Sequence, residues 1–144
     1  MIHEDTIKLL RECDAGVKMG ISSIDDVLDE VNDTRFKEIL ITCKEKHKEI
    51  DEKLQTILDK YHDEGKEPSM MAKSMSWMET NMKLMMDDSD RKIADIMSDG
   101  ANMGVKSLSK YLNQYKAADE ESKDITKKLI AIEEKLAQDI RPYL

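Results

Sequence analysis

Apolar positions along most of this chain recur in steps of three and four, the repeat of a helix that buries one face. The first stripe runs Ile7, Leu10, Asp14, Val17, Ile21, Ile24, Leu28 and Val31, with Asp14 as its polar member. Asn32 and Asp33 interrupt it. Asp33 or Thr34 is suited to cap the next helix, because a side-chain oxygen there accepts from an otherwise unpaired backbone amide. The second stripe is Phe36, Leu40, Cys43, His47, Ile50, Leu54, Ile57 and Tyr61, and it ends in HDEGKEP. Gly65 fits the left-handed residue past a helix end, and Pro68 cannot continue a helix. So short a join predicts that the two helices pack as an antiparallel pair.

From Ser69 onward the pattern allows two divisions. SMMAKSMSWMETNMKLMM reads as helix, with a stripe of Met71, Met75, Met78, Met82 and Met85. In one division this helix continues to about Asp99, SDGANMG turns, and one long helix reaches Ile140, which gives a plain up-down-up-down bundle. In the other, the Met-rich helix stops at DDSD and a helix runs from about Asp88 to Ala118. Asp119 then caps a last helix with the stripe Ile125, Leu129, Ile132, Leu136 and Ile140. Gly100 and Gly104 each cost about 1 kcal/mol inside a helix, which favours the turn. The long-helix division needs about 39 residues in one helix, well past the usual range, which favours the other. The pattern alone leaves both open.

Composition narrows the class. A chain of 144 residues suits one domain, here expected to span residues 1–144. Hydrophobic residues at 40% and charged residues at 38% match a slim bundle with a narrow core and a large solvated surface. A net charge of −8 repels phosphates, so nucleic acid is not an expected partner. No apolar run approaches the roughly 20 residues of a membrane span, and MIHEDTIKLL lacks the features of a secretory signal. Neither a membrane partner nor export is expected, and the default location is cytoplasmic. Cys13 and Cys43 read as small core residues. They are offset by about 13 Å on antiparallel helices, too far for a disulfide.

The stretches LLRECDAGVKMG, CKEKHKEI, EPSMMAKSMSWM, DGANMGVKSLSKYL and EEKLAQDIRPYL, taken in order, cover nearly the whole chain. Their arrangement resembles the ferritin-like superfamily, in particular its uncharacterised bacterial branch. That resemblance implies an all-α four-helix bundle whose link between the second and third helices crosses the length of the bundle. Residues 63–87 would be the crossover, and about 26 Å of Met-rich helix could cover the distance. It favours the second division, with Gly100 and Gly104 inside a helix.

The sequence departs from the superfamily at its metal ligands. Di-metal members carry a Glu on each of two helices and Glu-x-x-His on the other two. Here the second helix has Lys44-x-x-His47, and the third has Ala101, Asn102 and Gly104 where a Glu is expected. The last helix offers Glu133 and Glu134, with Gln138 near where a His would help. Two bridged metals are therefore not expected.

Asp14 and His47 are the most informative positions, because a polar group on an apolar stripe costs stability unless it is paired. With the turn at residues 32–33, Asp14 falls opposite Asp51 and His47 opposite Lys18. Asp14 and His47 are then separated by about one turn, roughly 5–6 Å. The first expectation is a buried Asp14–His47 hydrogen bond that fixes helix register. The alternative is one divalent ion, iron, manganese or zinc, held by Asp14, His47, Asp51 and Glu133, since one imidazole with carboxylates suits such an ion. Met70, Trp77 and Leu84 form a second stripe that could pair one copy of the chain with another or dock a partner. No zinc spacing, phosphate-binding loop or nucleophile–base arrangement stands out, so no catalytic residue and no cofactor is assigned. The expected role is a non-catalytic, ferritin-like bundle that acts by binding or assembly. The alternatives are an oxidase relative with a reduced metal site and a partner-binding adaptor.

Overall fold

A computed structural model describes residues 4–67 and 89–144. Every regular element among them is helical: α1 (Glu4–Leu28), α2 (Thr34–Lys60), α3 (Ser89–Gln114), α4 (Glu120–Asp139) and a short 3₁₀ turn, Arg141–Tyr143. The proposed crossover helix at residues 69–86 and the stripe Met70, Trp77 and Leu84 lie outside the described residues.

The capping residues read from the sequence hold the helix starts. Asp33 accepts from the Phe36 amide at 2.9 Å, and Asp119 accepts from the Ser122 amide at 2.8 Å. Gly100 and Gly104 both lie inside α3, which excludes the division that turned the chain there. That helix ends at Gln114, short of Ala118, and the Ala117 amide bonds instead to Asp5 on α1 at 3.1 Å.

The end of α2 differs from expectation. The left-handed residue that closes the helix is His62 (φ 56°), not Gly65, and the Asp63 amide reaches back to the Leu58 carbonyl at 2.9 Å. Gly65 (φ 79°) serves a different end, described with the site below.

Contacts at the helix ends give the direction of each helix. Asp63, just past α2, is bound by Arg11 near the start of α1. Asp90, at the start of α3, accepts the Asn32 and Asp33 amides at the far end, where α1 turns into α2. The Asp119 amide, at the start of α4, donates to Thr6. Thus α2 and α3 run the same way, α1 and α4 run the other way, and the end of α2 lies a bundle length from the start of α3.

The core forms two clusters. One contains Ile24, Phe36, Leu40, Cys43, Ile93, Ala101, Leu136 and Ile140. The other contains Leu10, Cys13, Val17, Leu54, Leu58, Leu108, Ile125 and Leu129. The stripe of α1 proves wider than its steps of three and four, because α1 packs against all three other helices and buries Thr6, Leu9 and Val27 as well. Cys13 and Cys43 are free thiols in separate clusters.

Candidate functional site

Each helix passes from one apolar cluster to the other through a short polar layer. On α2 that layer is His47, between Cys43 and Ile50; on α4 it is Glu133, between Leu129 and Leu136. At the matching level α1 presents Gly20 and α3 presents Gly104. A Cβ on Gly20 would fall 2.6 Å from His47 Nε2, and one on Gly104 would fall 3.5 Å from Glu133 Oε2. Two helices supply the polar side chains and the other two supply the room for them.

His47 is fully buried and bonded at both ring nitrogens. Its Nδ1 lies 2.8 Å from the Cys43 carbonyl oxygen, and a carbonyl only accepts, so Nδ1 carries a proton. Its Nε2 lies 2.6 Å from Glu133 Oε1. A carboxylate accepts there only if Nε2 is protonated too, which makes the ring an imidazolium. Burial disfavours that charge, but the side chains of Cys43 and Glu133 beside the ring outweigh it and hold the His47 pKa up at about 10. His47 and Glu133 therefore form a short, charged pair at neutral pH.

Asp14, also fully buried, belongs to a different network. It accepts from Lys18 Nζ at 2.9 Å, Gln55 Nε2 at 2.8 Å and the Lys66 amide at 2.9 Å. Gln55 also donates to Asp51 at 3.1 Å, which links the two aspartates. A Cβ on Gly65 would fall 2.2 Å from Asp14 Oδ2, so this position needs glycine for the loop to reach the carboxylate. The loop after α2 is tied down further by Arg11–Asp63, Lys66–Glu12 and Lys18–Glu67. The Arg11 guanidinium, with the Gly65 amide, draws the Asp63 pKa down against the effect of burial.

The four sequence-predicted ligands thus separate into His47 with Glu133 and Asp14 with Asp51. The expected Asp14–His47 hydrogen bond does not form. The reason is register: the pairings between α1 and α2 lie two to four residues from those expected. His47 faces Gly20 rather than Lys18, and Asp14 faces Gln55. On α1 the two levels lie six residues apart, about 9 Å along the helix. Lys44 is directed away from the layer, into an ion pair with Asp25. Among the described residues no group of three or more His, Cys, Asp or Glu side chains is arranged to hold a metal ion.

Sequence reasoning missed Gly20, Gln55 and the loop at Gly65–Lys66. Gly20 did carry a signal, since an isolated glycine within a helical stripe marks a close approach. A second feature adjoins the layer: Cys43 lines a partly open groove of about 350 Å³ between α2 and α4. No family model, curated protein or solved structure matches the chain. No helix among the described residues is long and apolar enough to cross a membrane.

Proposed function

We propose that this chain is a ferritin-like bundle whose mid-bundle site is held by the His47–Glu133 ion pair, and that it acts by binding or assembly. The resemblance in sequence is supported by the helix directions, with α2 and α3 parallel and the end of one a bundle length from the start of the other. The observation that carries the reading is the composition of the layer. Glycines stand at the level of the pair on α1 and α3, and both nitrogens of His47 are already bonded. Two metal ions do not fit these residues. Gly104 offers no ligand, and the Asp14 carboxylate already accepts from Lys18, Gln55 and the Lys66 amide.

The test is thermal stability of the wild type and His47→Ala with added Fe(II), Mn(II) or Zn(II). The expected result is no shift in either protein. Stabilisation of the wild type that vanishes in the variant would support the alternative, one divalent ion taking the place of the proton between His47 and Glu133. Assembly is tested by light scattering on the wild type and Trp77→Ala. A mass above one chain that falls in the variant supports self-association through that stripe, and an unchanged mass counts against it.

A further inference from the structure

We infer that Cys43 is a reactive thiol: with His47 and Glu133 it forms a Cys–His–Glu cluster beside the groove between α2 and α4, and peroxides oxidise this protein there. Cys43 and His47 lie four residues apart on one helix, so their side chains share a face. Cys43 Sγ lies 3.6 Å from His47 Nδ1, and His47 Nε2 lies 2.6 Å from Glu133 Oε1. Glu133 thus holds a cationic ring beside the sulfur, and positive charge at that distance supports sulfur as the attacking nucleophile.

Cys43 is buried but not closed off: it is 6% exposed, and it lines the groove. The floor of the groove is apolar, with Ile39, Ile132 and Leu136 beside Cys43. The charged groups around it are Arg35, Glu38 and Lys46 from α2 and Lys135 and Asp139 from α4, with Lys135 paired to Asp139 at 3.1 Å. At the level of the ring, α1 and α3 present glycines, which add no charge. Cys13 is the contrast within the same chain. It is fully buried, its sulfur lies 3.1 Å from Thr126 Oγ1, and burial pushes its pKa up to about 11.

The setting selects a reaction class. Acyl transfer needs free amides to receive a developing oxyanion. Cys43 sits mid-helix, where backbone amides are spent on the helix itself. Peroxide reduction needs no such pocket. The thiolate attacks one peroxide oxygen, an S–O bond forms and the O–O bond breaks. The proton lost by the thiol passes to water in the groove before the attack, and the departing oxygen takes a proton from that water, while the His47 cation stays bonded to Glu133 and to the Cys43 carbonyl. Sulfur loses two electrons and the peroxide gains them, so Cys–SH and ROOH become Cys–SOH and ROH. Cys13 belongs to the other core cluster, so return to the thiol takes an external reductant thiol. None of this depends on the ferritin-like reading, and the cysteine experiment leaves that reading untouched.

The experiment treats the folded protein with hydrogen peroxide, traps sulfenic acid with dimedone, and quantifies both cysteines by peptide mass spectrometry. Labelling of Cys43 is expected to exceed that of Cys13 by about tenfold or more, and the difference should collapse in urea. Glu133→Gln should slow Cys43 labelling, and Glu133→Asp, which keeps the carboxylate, should restore much of it. Equal labelling of the two cysteines in the folded protein would overturn the inference. So would a Gln variant as fast as the wild type, or an Asp variant as slow as Gln. If the Gln variant does not fold, the comparison of Cys43 with Cys13 in the wild type decides alone.

Discussion

Gly20 has no side chain, and that gap is where the His47 ring sits. Replacing it with Ala sets a helix-propensity gain of about 1 kcal/mol against a methyl driven into a ring fixed at both nitrogens. The ring cannot retreat without giving up Glu133 or the Cys43 carbonyl, so Gly20→Ala should lose roughly 1–3 kcal/mol in urea unfolding. Gly100 faces open space, with nothing within 4 Å of an added Cβ. Gly100→Ala should therefore gain about 0.5–1 kcal/mol, and a loss there would contradict the helix placed through that residue. His47 also predicts a pH dependence. Its folded pKa, about 10, lies above the ordinary value of 6.5, so its contribution is complete below about 6.5 and is lost as pH rises toward 10. Burial raises the Cys13 pKa from 9.0 to about 11, which adds a second loss on the alkaline side. The interval from about pH 6.5 to 9 therefore isolates His47, and stability should fall there in the wild type but stay flatter in His47→Gln. That Asp14 and His47 are buried and paired was legible from their places on apolar stripes. Their partners were not, because a register shift of two to four residues between α1 and α2 changes every cross-helix pairing.

Helix ends were the most legible elements, since capping is local chemistry. Asp33 and Asp119 cap as their sequence neighbourhood implies, and Glu120 and Glu121 lie in the favourable first turn of α4. The end of α2 was misread for an equally local reason. Gly65 looked like the helix stop, yet the loop needs its glycine there to pass over Asp14, and His62 takes the left-handed position instead. A left-handed His carries a steric cost that Gly avoids, so His62→Gly should stabilise by about 0.5–1 kcal/mol in chemical denaturation. No change or a loss would show that the imidazole holds the loop. The width of the α1 stripe was also hidden, because periodicity reports that a face is buried but not how many neighbours cover it.

Across the whole molecule, the polar layer divides the core into two apolar clusters, and each of the four helices crosses it with one residue, Gly20, His47, Gly104 or Glu133. Fold class was legible from periodicity, and the placement of Gly100 and Gly104 within α3 decided the order of helices. The layer was only half legible, because its glycines look like ordinary breaks in a stripe until the facing side chains are known. A buried ion pair is weak support for stability, since two desolvated charges recover little more than they lose on leaving water. Removing one partner is another matter. Glu133→Leu leaves an imidazolium without its carboxylate, a loss of about 3–5 kcal/mol for a fully buried pair. The Glu133 side chain is 12% exposed, so water reaches the site and the loss should fall toward the lower end. The double variant His47→Leu/Glu133→Leu removes both charges and joins the two clusters. It should recover most of that loss and come within about 1–2 kcal/mol of the wild type in urea unfolding, or exceed it. A double variant as unstable as Glu133→Leu would mean that the ring's shape between the glycines supports the bundle and the charge is incidental. Recovery would mean that the pair adds little to stability, because two well-packed leucines replace two charges that had to leave water.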